Sequence, residues 1–305
     1  MKIGVTLIGL EKILTKETKG KIIHNGRILF KNYKNLKSAL IIYDLIKYFK
    51  FNNVNDIFNN VDKIKFKGSF RVDCNREGEH KFSSQDIREK IGEILYNYGN
   101  KVSLDNPKNI FYVDIIDNYC FFGLNYLKFK RGYKVRSSND SLNSVLAYSL
   151  LKIADYNKDK VLLDPFCSDG TILIEAGLLK GKKLYGLSQD IKNASINSKV
   201  AKVKINLYDH NLTWLDTLFK KNSVDLIITK PLMPSKTKSV NFVDKLTKDL
   251  FHQASYILKG KMILLCNKID LIEKYAKIYK FKIKEELKIK IGDSIYKVLS
   301  LKKAI

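Results

Sequence analysis

Paired cysteines, long apolar runs and late arginines are what this chain lacks. Its four cysteines, Cys74, Cys120, Cys167 and Cys266, lie far apart without a Cys-x-x-Cys spacing. That removes a zinc site and a disulfide framework and predicts reduced, mostly buried thiols. The longest apolar run, Ala39 to Ile46, is interrupted by Tyr43 and Asp44 and falls short of a membrane span. Met1 to Glu11 lacks the basic, apolar and small-residue succession of a secretory signal, so a cytoplasmic location is expected, with no membrane among the partners. Arginine occurs only as Arg27, Arg71, Arg76, Arg88, Arg131 and Arg136, all before Val161.

Lysine is what abounds. The 305 residues carry a formal net charge of +25, which favours a polyanionic partner, because a basic face gains affinity by releasing counterions from phosphates. A Lys- and Asn-rich, Ala-poor chain is also what a codon-biased genome produces, so charge alone divides evenly between the two readings. The arginines tip it. Arginine is the better residue for bidentate phosphate and base contacts, and its confinement to the first half marks that half as the expected RNA-contacting part. With 45% hydrophobic residues the chain can build two or three domains.

The stretch from Leu162 to Ala176 organises the second half. An apolar strand, Val161 to Leu163, runs into a tight turn carrying Gly170, which opens into a helical pattern at Ile172, Leu173, Ala176 and Leu179. A strand, a small-residue turn and a helix N-terminus cradle the polar end of a nucleotide-like ligand, since free N–H groups and the helix dipole point there. An ordinary βα turn has the same outline.

Before it, Ile3 to Leu7 reads as a strand, Leu10, Ile13 and Leu14 as one side of a helix, Lys21 to Phe30 as a second strand, and Asn35 to Tyr48 as an amphipathic helix. Ser69 to Gly78 is an alternating strand leading into a turn. Phe82 to Asp86 then caps a helix through Ile87, Ile91 and Leu95, with Ser84 or Asp86 as the cap. Phe111 to Ile116 and Cys120 to Leu124 form a hairpin. Lys128 to Asp140 is a charged, then polar stretch without sustained periodicity and reads as a linker. From Val161 onward strands and helices alternate as a doubly wound sheet requires, ending in two strands near Phe281 to Ile289 and Ser294 to Leu301.

These phrases resemble one family throughout. Asp164 to Cys167 and Gly170 to Ala176 match, position for position, the first motif Asp-Pro-Phe-Cys-Gly-Ser-Gly-Thr-Ile-Leu-Ile-Glu-Ala of the THUMP-containing tRNA (guanine-N2) methyltransferases, which are class I enzymes dependent on S-adenosylmethionine (SAM). The phrase Phe70-Arg71-Val72-x-Cys74-Asn75-Arg76, continuing through Phe82-Ser83-Ser84-Gln85-Asp86, resembles THUMP, a domain known for docking the acceptor end of tRNA. Gly9-Leu10-Glu11 resembles the entry to the ferredoxin-like domain that precedes it. The resemblance implies an α/β protein: an N-terminal ferredoxin-like part (residues 1–58) and THUMP (59–127), together an α+β region, then a linker (128–141) and a class I, Rossmann-like methyltransferase domain (142–305).

It also assigns residues. Arg71, Asn75, Arg76, Lys81 and Ser84, with Lys130, Arg131 and Arg136 of the linker, are expected to contact tRNA. Asp164 and the backbone around Phe166, Cys167, Gly170 and Thr171 are expected to hold the methionine end of SAM, and Asp209 to face its adenine. Ser188 stands where an acid binds the ribose, so Asp190 takes that part only through a reshaped turn.

Departures from the family pattern bear on activity. Ser168 and Asp169 replace the first glycine and the serine of the motif, placing a Cβ and a carboxylate against the cofactor. In guanine-modifying relatives an Asp or Asn after the fourth strand accepts from the target amine and an aromatic residue stacks on the base; here the chain reads Thr229-Lys230-Pro231-Leu232-Met233-Pro234. A protonated lysine has donors and no acceptor, and opposes the positive charge the amine develops. No residue is therefore assigned a catalytic role. The expectation is a tRNA-binding THUMP protein whose methyltransferase fold acts as a scaffold, a pseudoenzyme in tRNA modification. The alternative is an active guanine-N2 methyltransferase with the missing contacts supplied from elsewhere. A methyltransferase-fold enzyme of changed chemistry ranks below both.

Overall fold

The computed structural model describes residues 1–138 and 140–304. The chain divides into two compact units: Met1–Val5 with Leu14–Phe129, and Thr6–Ile13 with Lys130 to the C-terminal end. Among the described residues no helix is long and apolar enough to cross a membrane.

In the first unit, β1 (Lys2–Val5), β2 (Lys21–His24), β3 (Arg27–Phe30), β4 (Ile41–Lys50), β5 (Ser69–Glu77), β6 (Lys101–Val102), β7 (Asn109–Ile116) and β8 (Tyr119–Lys128) form one continuous eight-stranded sheet, ordered β2-β3-β1-β4-β8-β7-β5-β6. Two expectations are corrected here. The single strand Lys21 to Phe30 is a hairpin that turns at Asn25-Gly26, where Gly26 takes a φ of 67°, the Asn-Gly signature of a two-residue turn. The helix expected over Asn35 to Tyr48 is instead largely β4, paired antiparallel with β1 on one side and β8 on the other. Register shifts between Ile42 and Asp44 and between Leu45 and Lys47 break its period of two. The sequence therefore shows no clean alternation, although Ile41, Ile42 and Tyr43 suit a strand.

Helix α1 (Glu11–Thr18) crosses the division between units, whereas α2 (Val54–Asn59) and α3 (Ser84–Asn97) lie within the first. Ile87, Ile91 and Leu95 recur every fourth residue of α3 and are buried against Phe70, Phe111 and Phe122. Each such side chain contributes roughly 1.5–3 kcal/mol by leaving water. The cap of α3 is Ser83, not Ser84. Its hydroxyl accepts from the Asp86 N–H at 3.1 Å, and the Asp86 carboxylate accepts from the Ser83 N–H at 2.7 Å.

A charged cluster is sealed into this sheet. Arg27 is fully buried, donating through Nε and Nη2 to both carboxylate oxygens of the equally buried Asp114 at 2.6 and 2.7 Å, and through Nη2 to Glu77 at 2.8 Å. Tyr43 Oη and Asn75 Nδ2 also donate to Asp114, each at 3.0 Å. Burial would strip the Arg27 proton, but the Asp114 and Glu77 carboxylates outweigh it and hold the guanidinium charged.

The second unit follows the expected alternation. Helix α4 (Ser144–Ile153) leads into β9 (Leu162–Asp164), α5 (Thr171–Leu178), β10 (Leu184–Leu187), α6 (Lys192–Val200), β11 (Asn206–Tyr208), α7 (Leu215–Leu218), β12 (Val224–Thr229), α8 (Val240–Ile257), β13 (Leu258–Cys266), α9 (Asp270–Ile278), β14 (Phe281–Ile291) and β15 (Ser294–Lys303). The seven strands are ordered β11-β10-β9-β12-β13-β15-β14, parallel except for the antiparallel β15. Strand order reverses between β9 and β12, where an open α/β sheet leaves a crevice beyond its carboxyl ends.

Candidate active site

A cavity of about 300 Å³ occupies that crevice. β9 delivers Pro165, Phe166 and Ser168 to it, β10 delivers Ser188 and Asp190, β11 delivers His210, Asn211 and Leu212, and β12 delivers Lys230 and Leu232. The turn after β9 makes this possible. Gly170 takes a φ of 78°, and a Cβ there would stand 3.1 Å from that of Ala194, so glycine lets α6 close against the turn. Ser168 takes a φ of 50°, a left-handed conformation costing an L-residue about 1–2 kcal/mol, and its hydroxyl bonds that of Ser138.

Asp164 is buried at the head of this turn. Its carboxylate accepts from Thr229 Oγ1 at 2.6 Å and from the Phe166 N–H at 3.2 Å. Burial, reinforced by Asp169, pushes its pKa up to about 7, against the lowering effect of those two donors. Cys167 is buried, and burial holds its thiol well above the ordinary range, leaving it inert as a nucleophile.

Asp169 lies off the large cavity, on the wall of a small niche beside it. Its carboxylate accepts from Thr171 Oγ1 at 2.7 Å and from Ser141, with Lys134 Nζ at 3.5 Å, and it is absent from the lining of the large cavity. The charge expected to repel a cofactor is thus matched on the protein's own side. Two of those partners, Lys134 and Ser141, come from the segment read as a linker. Tyr133 Oη and Arg131 Nε in that segment both donate to the buried Glu175 of α5 at 2.8 Å, and the Arg136 N–H donates to Asn197 of α6 at 3.0 Å. The stretch is laid along the helices flanking the crevice.

Of the expected cofactor ligands, Phe166 and Asp190 line the large cavity. Asp164, Cys167 and Thr171 line a niche of about 10 Å³ beside it, which Phe166 and Lys230 also border. Gly170 borders neither. Asp209 is exposed and outside the cavity; Asn211, two residues on, takes that wall. Asp190 is brought into the crevice by a tight turn in which its N–H donates to Ser188 Oγ at 3.3 Å and its carboxylate accepts from the Lys192 N–H at 2.9 Å.

Several cavity residues escape sequence reasoning. Asn193 lies three positions after Asp190, near the start of α6, a spacing that places both on one side. His210 stacks on Trp214 with ring centroids 5.1 Å apart. Phe242, in the first turn of α8 and 44% exposed, presents an aromatic face to the cavity. Met233, by contrast, packs against the core of this unit, so the aromatic surface comes from α8 rather than from the segment after β12. Lys230 Nζ lies 6.0 Å from the Tyr296 ring centroid. Lys238 and Asp140 pair at 2.8 Å on the cavity wall.

In the first unit the expected RNA contacts separate. Arg71 and Asn75 share one face of β5, and Arg76 the opposite one, because a strand alternates. Arg71 pairs with Asp73 at 3.1 Å, Asn75 belongs to the Asp114 cluster, and Arg76 Nη1 approaches His80 Nδ1 at 3.1 Å. Lys81 is exposed, and Ser84 half-buried in the first turn of α3. In the second unit Lys130 and Arg136 are exposed, while Arg131 is bound to Glu175.

Comparison with known proteins assigns residues 51–125 to the THUMP domain and residues 131–195 to the RMKL-like methyltransferase domain. A Methanocaldococcus jannaschii protein named tRNA (guanine(6)-N2)-methyltransferase is 29% identical over 292 residues, spanning 78% of this chain and 77% of that one. A Thermus thermophilus protein of the same name is 38% identical over 117 residues, 37% of this chain and 35% of its own length. The match thus spans about a third of that relative. The crystal structure of TrmN from Thermus thermophilus superposes with a TM-score of 0.80 over 99% of both chains at 24% identity, which shows the fold.

Proposed function

Because the chain joins a THUMP domain to an RMKL-like methyltransferase domain on a class I methyltransferase fold, we propose that it binds tRNA and SAM and methylates N2 of a guanine. One observation carries this reading: the cavity at the carboxyl ends of β9 to β12 is open, with a mainly apolar wall that carries the polar groups of Ser188, Asp190 and Asn193, and Asp169 is matched by Thr171 and Lys134. SAM, when bound, supplies an electrophilic methyl group. The residues present suit it. Ser188, Asp190 and Asn193 offer acceptors for sugar hydroxyls, and Phe166 with Leu212 offers apolar walls for a flat ring. Phe242 gives an extruded base a face to stack on, which is the aromatic contact the segment after β12 no longer provides.

Lys230 favours a second reading, in which the chain binds tRNA and transfers nothing, because a protonated lysine cannot accept from the amine. Calorimetric titration with SAM, followed by transfer of labelled methyl to unmodified tRNA from the same cell, separates the two. Micromolar binding with stoichiometric methylation is expected. tRNA binding without detectable methylation of any guanine would replace the enzyme with the scaffold. The tRNA arm uses Arg71→Ala with Arg76→Ala, which should weaken affinity and flatten a salt slope of ~0.9 per neutralised phosphate; unchanged affinity moves the contact off β5.

A further inference from the structure

Lys230 sits poorly with base recognition, but its surroundings give it another task, one that rests on the cofactor reading above. Its side chain borders both the large cavity and the niche beside it, and among the described residues it is the only lysine or arginine on the niche wall. Among those residues, too, no carboxylate lies within ion-pair distance of its ammonium, which faces the Tyr296 ring. The niche holds two buried acids, and they differ. Asp169 is matched by Lys134 with hydroxyls of Ser141 and Thr171, whereas among the described residues Asp164 accepts only from one hydroxyl and one backbone N–H.

Asp164 from the end of β9, without a cation, and Lys230 from the end of β12, without a carboxylate, therefore border the same niche without pairing. Their complement is a zwitterion. We propose that Lys230 and Asp164 together recognise the α-amino acid end of the nucleoside cofactor, Lys230 taking its carboxylate and Asp164 its ammonium. The niche, at about 10 Å³, admits one water-sized group, which suits the ammonium beside Asp164, while the carboxylate meets Lys230 from the larger cavity that this lysine also borders. With its charge matched by that carboxylate, Lys230 is drawn off the target amine and no longer opposes the charge developing there. Its departure from the acceptor type becomes a transfer of duty from the base to the cofactor.

The probes are S-adenosylhomocysteine and 5′-methylthioadenosine, which share the nucleoside and thioether and differ in the amino-acid end. Calorimetry on the full chain should show Lys230→Met weakening S-adenosylhomocysteine about tenfold or more, as loss of a charge-assisted bond requires, and Lys230→Arg staying within about threefold. Binding of 5′-methylthioadenosine should be the same in all three proteins, which also reports that the fold is intact. Wild-type affinity for S-adenosylhomocysteine in Lys230→Met, or equal loss of both ligands, overturns the assignment while leaving the cofactor reading in place. Failure of the wild type to bind S-adenosylhomocysteine overturns both.

Discussion

Replacing Asp164 with Asn should stabilise the second unit, and by an amount that depends on pH. The folded carboxyl titrates near 7, against an ordinary value of 3.8, because burial and Asp169 penalise its charge more than Thr229 and Phe166 relieve it. Between those values the folded state holds a proton the unfolded state has released. Stability from this group is thus complete below about pH 4, falls as pH rises through the window to about 7, and is flat above it. At about 1.4 kcal/mol per pH unit the whole effect approaches ~4 kcal/mol. Asn keeps an acceptor for the same two donors and carries no charge. The assay is urea unfolding followed through Trp214, the chain's single tryptophan, which lies in the second unit. Wild type and variant are compared at each pH so that other carboxylates cancel. The Asp164→Asn variant should gain on the wild type from pH 4.5 to about 7 and level off above it. A difference constant to within about 0.5 kcal/mol across that range would refute the burial argument.

Two further perturbations follow from the buried charges. Arg27→Met should destabilise the first unit by about 3–5 kcal/mol, because Asp114 is left buried without its cation; adding Asp114→Leu should recover part of the loss, read by hydrogen exchange of the β4 and β7 amides, and strict additivity would show the pair is not coupled. Glu175→Ala removes the acceptor shared by Arg131 and Tyr133, worth roughly 1.5–3 kcal/mol, so limited proteolysis within residues 130–138 should quicken at least about tenfold; an unchanged cleavage rate would mean the segment is held by other contacts.

Much of this is legible in the residues alone. The phrase Asp164 to Ala176 predicts the strand, turn and helix that build the crevice, and the alternation after Val161 predicts the sheet, since both are local patterns with fixed periods. What is not legible depends on partners distant in sequence. β4 hides behind two register shifts that erase its alternation. Asp169 reads as an obstacle until Lys134 and Ser141 are seen beside it, about thirty residues upstream. Arg27 counts toward a basic, RNA-facing half, yet its charge is consumed inside the sheet by Asp114. The aromatic face sought at Met233 is supplied by Phe242, and no spacing rule predicts that one helix start lends its ring to the end of another strand.

The backbone leaves the first unit at Val5–Thr6, re-enters it at Leu14 and departs again after Phe129. Within the second unit this early excursion is tied in by the Lys290 N–H, which donates to the Ile8 carbonyl at 3.0 Å. Neither unit is thus a contiguous stretch of gene. The second unit excised at residue 130 would lack a piece of itself, and the first unit expressed alone would carry eight residues, 6 to 13, stripped of their seat. Recombination that swaps one half for a homologous half would also have to match this insertion. The two halves are bound to be inherited together, and a nick in the connecting segment after Phe129 would leave them still joined by covalent chain.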